Sequence, residues 1–307
     1  PIVDALIDAA ESGKQVLVLV EIKARFDERA NIGWGEILDD AGVHVVYGVP
    51  RLKTHAKAVL VIRREGDGIR CYCHIGTGNY NEKTAQVYCD LSLLTSNAAI
   101  GADLVNLFHS LTGYAPAQTY DTVLVAPTFL SDSFVALIEE QIERQRSHGD
   151  GRIVAKMNGL DDVGLIRQLY RASQAGVEID LIVRGLCRLR PGVPGISETI
   201  RVRSIIGRFL EHDRIYQFGR GADRRVFLGS ADWRRRNLHE RVELVTPVLD
   251  AVVADRIAAT LELALADNRL AWELSSSGSY RQREPGPDEQ VIDFQAELMR
   301  RALGSDD

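Results

Sequence analysis

Apolar and polar positions along the chain trace the same order of elements twice. In the first copy the β-branched run VLVLV (16–20) precedes a segment of helical period ending in AGVHVVYG (41–48), and LKTHAKAVLVIRR (52–64), a turn at EGDG and IRCYCHIG (69–76) follow. The second copy reads GRIVAKMNGLDD (151–162), a helical segment ending in AGVEIDLIVRG (175–185), then FLEHDRIYQFG, a turn at RGAD and RRVFLGSAD. A strand, a helix, an Ala-Gly-Val joint and another strand describe a β-α-β unit, and the hairpin after it makes the sheet mixed. Gly42 and Gly176 in the joints stand where a helix ends on a left-handed residue. The expected fold class is therefore α/β, with two similar halves, each a mixed β-sheet flanked by helices.

The halves divide near Tyr120, giving a first domain at 1–120 and a second at 121–307. The opening helix, IVDALIDAAESG, reads as the crossover of a unit whose leading strand is missing, so the chain is expected to be a fragment. An insertion at 188–207, punctuated by Pro191, Gly192, Pro194 and Gly195, marks an excursion, and the tail after Ser275 reads as loop until a short helix at 291–303.

With 307 residues, 45% of them hydrophobic, the chain can bury two cores. No apolar run reaches the roughly 18 residues of a membrane span, and the N-terminus lacks the order of a secretory signal. A cytoplasmic protein is expected, with association at a membrane surface left open. Four cysteines form no C-x-x-C pair, which points to neither a disulfide framework nor a zinc site. The net charge of −6 argues against a general nucleic-acid coat, but residues 184–236 hold thirteen arginines against five acids. Guanidinium forks suit phosphate oxygens, so this stretch is either a solvated face or a groove for a phosphate-rich ligand.

Two histidines stand at the same place in the two copies. His55 lies in T-H-A-K with Lys57 two residues on, and His212 lies in H-D-R with Arg214 two residues on. Spacing of two places each pair on one side of a strand. A neutral imidazole can attack phosphorus while the adjacent cation holds a non-bridging oxygen. Both copies then reach a small-residue turn, Gly76-Thr77-Gly78-Asn79 and Gly229-Ser230-Ala231-Asp232. Two pseudo-symmetric histidines on a shared cleft suit a double displacement, one as nucleophile and the other as general acid or base. His44, His74, His109, His148 and His239 have no such company and read as ordinary residues.

The arrangement resembles in part the phospholipase D superfamily, but the Asp expected beyond the lysine with four residues between them is absent: Ile62 and Gly219 stand there. That departure disfavours a phosphodiesterase. VEIKARFDE, GVHVVYGVPRLKTHAK, HIGTGNYNEKTAQVYCDLSLLT, KMNGLDD, LIVRGLCRLRPG and RFLEHDRIYQF together resemble bacterial polyphosphate kinase over nearly the whole chain. The resemblance implies a phospholipase D-like fold and transfer of phosphate between ATP and polyphosphate through a phosphohistidine. By position it implies that His55 carries the phosphate, that His212 is a second essential histidine, that Tyr88 contacts the nucleotide and that Arg184 meets its phosphates. Arg25 matches an arginine beside the magnesium and phosphate cluster; since arginine cannot ligate a cation, Mg²⁺ is expected on phosphates and water. Lys57 and Arg214 complete the phosphate-binding candidates, and Arg188, Arg190, Arg201, Arg203 and Arg208 are candidates for a polymer channel. The implied partners are ATP or ADP and polyphosphate, in a homo-oligomer when full length. The rival expectations are a phosphodiesterase on the same scaffold and a non-catalytic polyphosphate-binding fragment; ATP-dependent activity of the fragment alone is expected to be low.

Overall fold

The computed structural model describes residues 1–22, 28–113 and 118–304. The first half contains α1 (Ile2–Glu11), β1 (Leu17–Val20), α2 (Glu28–Asp40), β2 (His44–Tyr47), β3 (Lys53–Thr54), β4 (Ala58–Glu65), β5 (Gly68–Gly76), α3 (Glu82–Ala85), β6 (Tyr88–Cys89), β7 (Ser92–Thr95) and α4 (Ala98–Thr112). The second half begins β8 (Leu124–Ala126), α5 (Leu130–His148), β9 (Arg152–Met157), α6 (Val163–Gln174), β10 (Glu178–Val183) and β11 (Ile200–Ile205). It continues β12 (Leu210–Glu211), β13 (Ile215–Phe218), β14 (Arg225–Gly229), α7 (Arg235–His239), β15 (Arg241–Pro247), α8 (Ala251–Ala266), β16 (Ala271–Leu274), β17 (Tyr280–Gln282) and α9 (Phe294–Ala302).

The second half is a continuous mixed sheet in the order β17-β16-β11-β10-β9-β13-β14-β15, with β8 on β15 and β3 of the first half at the far end. Its inner strands are hydrophobic on both faces because helices cover both. Ile153, Ala155 and Met157 of β9 pack toward α5 and α6, while Val154 faces α8 and α9. That double coverage explains why β9, β10 and β13 are rich in apolar residues on both faces, interrupted only by buried polar groups such as Lys156, Asp180 and Gln217. Part of the excursion at 188–207 is β11, which extends the parallel edge beside β10 and pairs with β16.

The first half is divided. β1 and β2 form a parallel pair, and β4, β5 and β7 form a separate antiparallel sheet against α4. The second half joins the equivalent strands directly, since β13 pairs with β9. α1, β1, α2 and β2 contribute only Gly35 and Leu38 as buried residues, so little apolar area holds this layer to the rest. Cys73 is buried against α4 with Ile100, Leu104 and Leu107.

Candidate active site

Both histidines sit just before a strand rather than on it. Residues 55–57 link β3 to β4, and His212 lies between β12 and β13. The reason is a pairing across the halves. β3 lies parallel to β15, and the amides of His55 and Ala56 both donate to Val242 O, at 2.8 and 3.0 Å. β12 lies parallel to β6, and the amides of His212 and Asp213 both donate to Cys89 O, at 3.1 and 2.9 Å. Each histidine is thus pulled out of its own hairpin by a strand of the other half.

The residue after each of those carbonyls is a carboxylate. Glu243, which is fully buried, meets His55 Nδ1 at 2.8 Å, and Asp90 meets His212 Nδ1 at 2.8 Å. Glu243 and Asp90 both lie thirteen residues beyond the hydroxyl of a small-residue turn. Thr77 Oγ1 donates to Asp90 at 2.6 Å, and Ser230 Oγ donates to Glu243. Asn237 Nδ2 adds a third partner for Glu243. A carboxylate on Nδ1 fixes the ring and its tautomer. This leaves Nε2 of His55 as the free nitrogen, whereas Arg214 Nη1 lies 3.1 Å from His212 Nε2.

The cations repeat the symmetry. Lys57 Nζ donates to His55 O at 2.5 Å, and Arg214 Nη1 donates to His212 O at 2.7 Å. Neither lies on a strand face as the i, i+2 spacing suggested; each folds back on its histidine's carbonyl. Arg214 is buried, pairs with Asp232 at 3.2 Å and reaches Thr77 O across the halves. Behind the second turn Tyr216 stacks on Trp233 at 5.1 Å and donates from its hydroxyl to Ala231 O, which fixes the backbone that presents Ser230 and Asp232.

Burial sets the ionisation of this site. It pushes His55 down to about 4, with Glu243 opposing and Lys57 and Arg214 reinforcing, so His55 is neutral at pH 7. Burial also lowers Lys57 to about 7, against the attraction of Glu243. His212 is lowered by burial more than its bond to Asp90 raises it. Glu243 and Asp90 are desolvated too, yet their histidine and hydroxyl partners hold both below the ordinary carboxylate range.

Tyr88 lies on β6 with its ring 4.8 Å from the His212 ring, and Arg184 Nη1 donates to Glu211 O at 3.0 Å next door. These two, with His212, form one side of the cluster. Arg25 lies outside the described residues. Of the channel candidates, Arg203 is buried and bonded to Leu265 O, which removes it from a polymer's reach, while the exposed Arg201 pairs with Glu178 and Asp180. Among the described residues no group of three or more His, Cys, Asp or Glu converges as a metal site. Glu243, Asp90 and Asp232 are engaged by histidine, hydroxyl, amide or guanidinium partners, so they do not fit direct ligation of a magnesium ion.

Residues 1–117 match the family described as polyphosphate kinase C-terminal domain 1, and residues 123–295 match polyphosphate kinase C-terminal domain 2. The chain belongs to the polyphosphate kinase family. Polyphosphate kinase of Thermosynechococcus vestitus is 57% identical over 303 residues, covering 99% of this chain and 41% of that protein. The Streptomyces coelicolor polyphosphate kinase is 51% identical over 292 residues, covering 95% and 39%. The crystal structure of polyphosphate kinase from Porphyromonas gingivalis matches with a TM-score of 0.90 at 40% identity, covering 99% of this chain and 46% of that one. The chain thus spans about two-fifths of the length of these curated relatives. No helix of the described residues is long and apolar enough to cross a membrane.

The two carboxylates were missed in the sequence because the pattern sought was an Asp separated from the cation by four residues. A signal was present: C-D-L-S-L-L-T and V-E-L-V-T-P follow their turns at equal spacing.

Proposed function

We propose that this chain carries the phosphoryl-transfer centre of a polyphosphate kinase, with His55 as nucleophile. The observation that carries the reading is the buried Glu243 carboxylate on His55 Nδ1, which leaves Nε2 of a neutral ring available for attack. Nε2 attacks the terminal phosphorus of ATP; the N–P bond forms as the bridging O–P bond breaks, and ADP leaves with the bonding electrons. The ring becomes cationic with its Nδ1 proton in place, and the fully buried Glu243 balances that charge. A terminal oxygen of polyphosphate then attacks the same phosphorus, the N–P bond breaks and neutral His55 is restored. Run backward, the sequence makes ATP.

His212, neutral and oriented by Asp90, receives the residual proton of the attacking terminal phosphate. Lys57 and Arg214 neutralise charge on the equatorial oxygens, while Tyr88 and Arg184 hold the nucleotide. Arg25 is proposed beside the phosphates. Magnesium is part of the nucleotide substrate, carried on phosphate oxygens, and no protein ligand is assigned to it. Arg188, Arg190 and Arg208 remain the polymer-facing candidates. The proposal includes a homo-oligomeric, cytoplasmic full-length enzyme that does not act on nucleic acid, and low ATP-dependent activity for residues 1–307 alone. The test is intact mass after incubation with Mg·ATP, followed by site mapping under conditions that preserve phosphoramidate. One phosphate on His55 is expected, and phosphate on another residue with His55 unmodified rejects the reading.

A further inference from the structure

The chemistry above leaves one buried ionic cluster unused. Glu211 and Asp213 flank His212 in the chain, and an extended backbone sends residues i and i+2 to one side and i+1 to the other. Both acids enter the interior, where Lys156 of β9 meets Glu211 at 2.7 Å and also bonds Asp213. All three are buried, with relative exposures of 3% for Lys156, 4% for Glu211 and 6% for Asp213. The two anions hold the ammonium charged although burial opposes it. His212 between them is therefore turned the other way, toward Asp90 and Tyr88. The equivalent neighbours of His55 are Thr54 and Ala56, which carry no charge, so the device belongs to the second half alone.

The C-terminal helix closes this cluster. Gln295, 3% exposed, accepts from Phe209 N at 3.0 Å, donates to Phe209 O at 2.9 Å and donates to Glu211 Oε1 at 2.6 Å. The adjacent Phe294 ring lies 5.9 Å from the Lys156 ammonium. Gly207 leaves room for the amide, since a Cβ there would lie 2.5 Å from Gln295 Oε1. α9 is itself anchored: Phe294 N donates to the buried Asp267 at 2.7 Å, and Ile292 N donates to the buried Asn268 at 2.7 Å.

We infer that α9, through Gln295 and the Lys156–Glu211–Asp213 cluster, positions His212 for phosphoryl transfer, making Gln295 and Lys156 positioning residues of the reaction. The segment 209–213 is held in front by β6, whose Cys89 carbonyl accepts from two of its amides, and behind by α9. Freeing the rear support lets the imidazole drift from Asp90 while the nucleotide contacts of Tyr88 remain.

The inference rests on the role proposed for His212, and the experiment separates the two. Gln295→Met keeps the side-chain volume and removes three hydrogen bonds; Leu298→Ala, on the same helix and packed on the same core, serves as the control for lost stability. In the intact protein Gln295→Met is expected to slow transfer from phosphorylated His55 to polyphosphate by about 10- to 100-fold, with KM for ATP little changed. The ring signals of His212, followed by NMR with labelled histidine, should titrate closer to the ordinary value, since the ring then leaves its place among Asp90, Arg214, Tyr88 and Lys57. Leu298→Ala should lower Tm without either change. If Gln295→Met fails to fold, Glu211→Gln, which keeps shape and drops the charge facing Lys156, carries the same expectations. A Gln295 variant that loses stability like Leu298→Ala but keeps its transfer rate and His212 titration overturns the inference. Should the unsubstituted protein carry no phosphate on His55, the proposed function falls, and the His212 titration alone decides whether α9 positions that ring.

Discussion

Replacing Glu243 with Gln tests the centre of the proposed chemistry at nearly constant shape. Phosphorylation of His55 through Nε2 leaves a cationic ring whose charge centre lies about 4 Å from the Glu243 carboxylate, given the 2.8 Å contact at Nδ1. At an effective dielectric constant near 20 the attraction is about 4 kcal/mol, or about 10³-fold in rate. The substitution has a second effect, because a Gln amide can donate to Nδ1 and thereby move the ring proton to Nε2, where it blocks attack. Both effects act on chemistry rather than on nucleotide contacts, so the rate of acid-labile labelling by γ-labelled ATP should fall by about 10³-fold at saturating nucleotide. Rapid-quench labelling of Glu243→Gln against the unsubstituted protein measures this. Labelling within threefold of normal would show that Glu243 is a structural acid and that the ring is activated by something else.

Asp90→Asn should leave labelling of His55 largely intact and slow the second transfer by about 10²-fold, because its partner is His212; chase of labelled enzyme with polyphosphate checks it. His55 lies near 4 rather than the usual 6.5, so labelling should not fall as pH drops from 7 to about 5 and should fall only below that, as the neutral nucleophile is lost; a fall centred at pH 6.5 would contradict burial of the ring. Lys57 lies near 7, and bound phosphate favours its charged form, so binding takes up a proton and polyphosphate affinity should weaken as pH rises through 7, by up to about tenfold per unit. Affinity measured from pH 6 to 9 should lose that slope in Lys57→Met.

The duplication, the β-α-β order and the positions of both histidines were legible in the sequence, because hydrophobic periodicity and small-residue turns are local signals. What was not legible is the exchange between halves. No local pattern says that the Cys89 carbonyl will hold His212 or that the Val242 carbonyl will hold His55. The same limit governed the arginines: a basic stretch is visible as composition, but Glu178 and Asp180, which bind Arg201, lie on β10, the strand beside it. Lys156 reads as one cation in a buried strand, and only the return of Glu211, Asp213 and Gln295 from distant positions gives it a place. The division of the first-half sheet follows from strands too lightly buried to declare their partners.

The crossed arrangement also explains a difference between the two turns. Gly78 and Ala231 are equivalent, but their neighbouring carboxylates differ in length, Asp90 in one case and Glu243 in the other. A Cβ at Gly78 would lie 2.2 Å from Asp90 Oδ2 and 2.4 Å from its Cγ, so alanine there must displace the carboxylate. Glu243, one methylene longer, coexists with the buried Ala231. Gly78→Ala should therefore detach Asp90 from His212 and slow the polyphosphate step by about the 10²-fold expected of Asp90→Asn, with His55 labelling little affected because Glu243 belongs to the other turn. Adding Asp90→Glu makes the first turn resemble the second, and Gly78→Ala/Asp90→Glu should transfer faster than either single variant. A double mutant whose loss is the sum of the two single losses would show that the carboxylates are not interchangeable in this way.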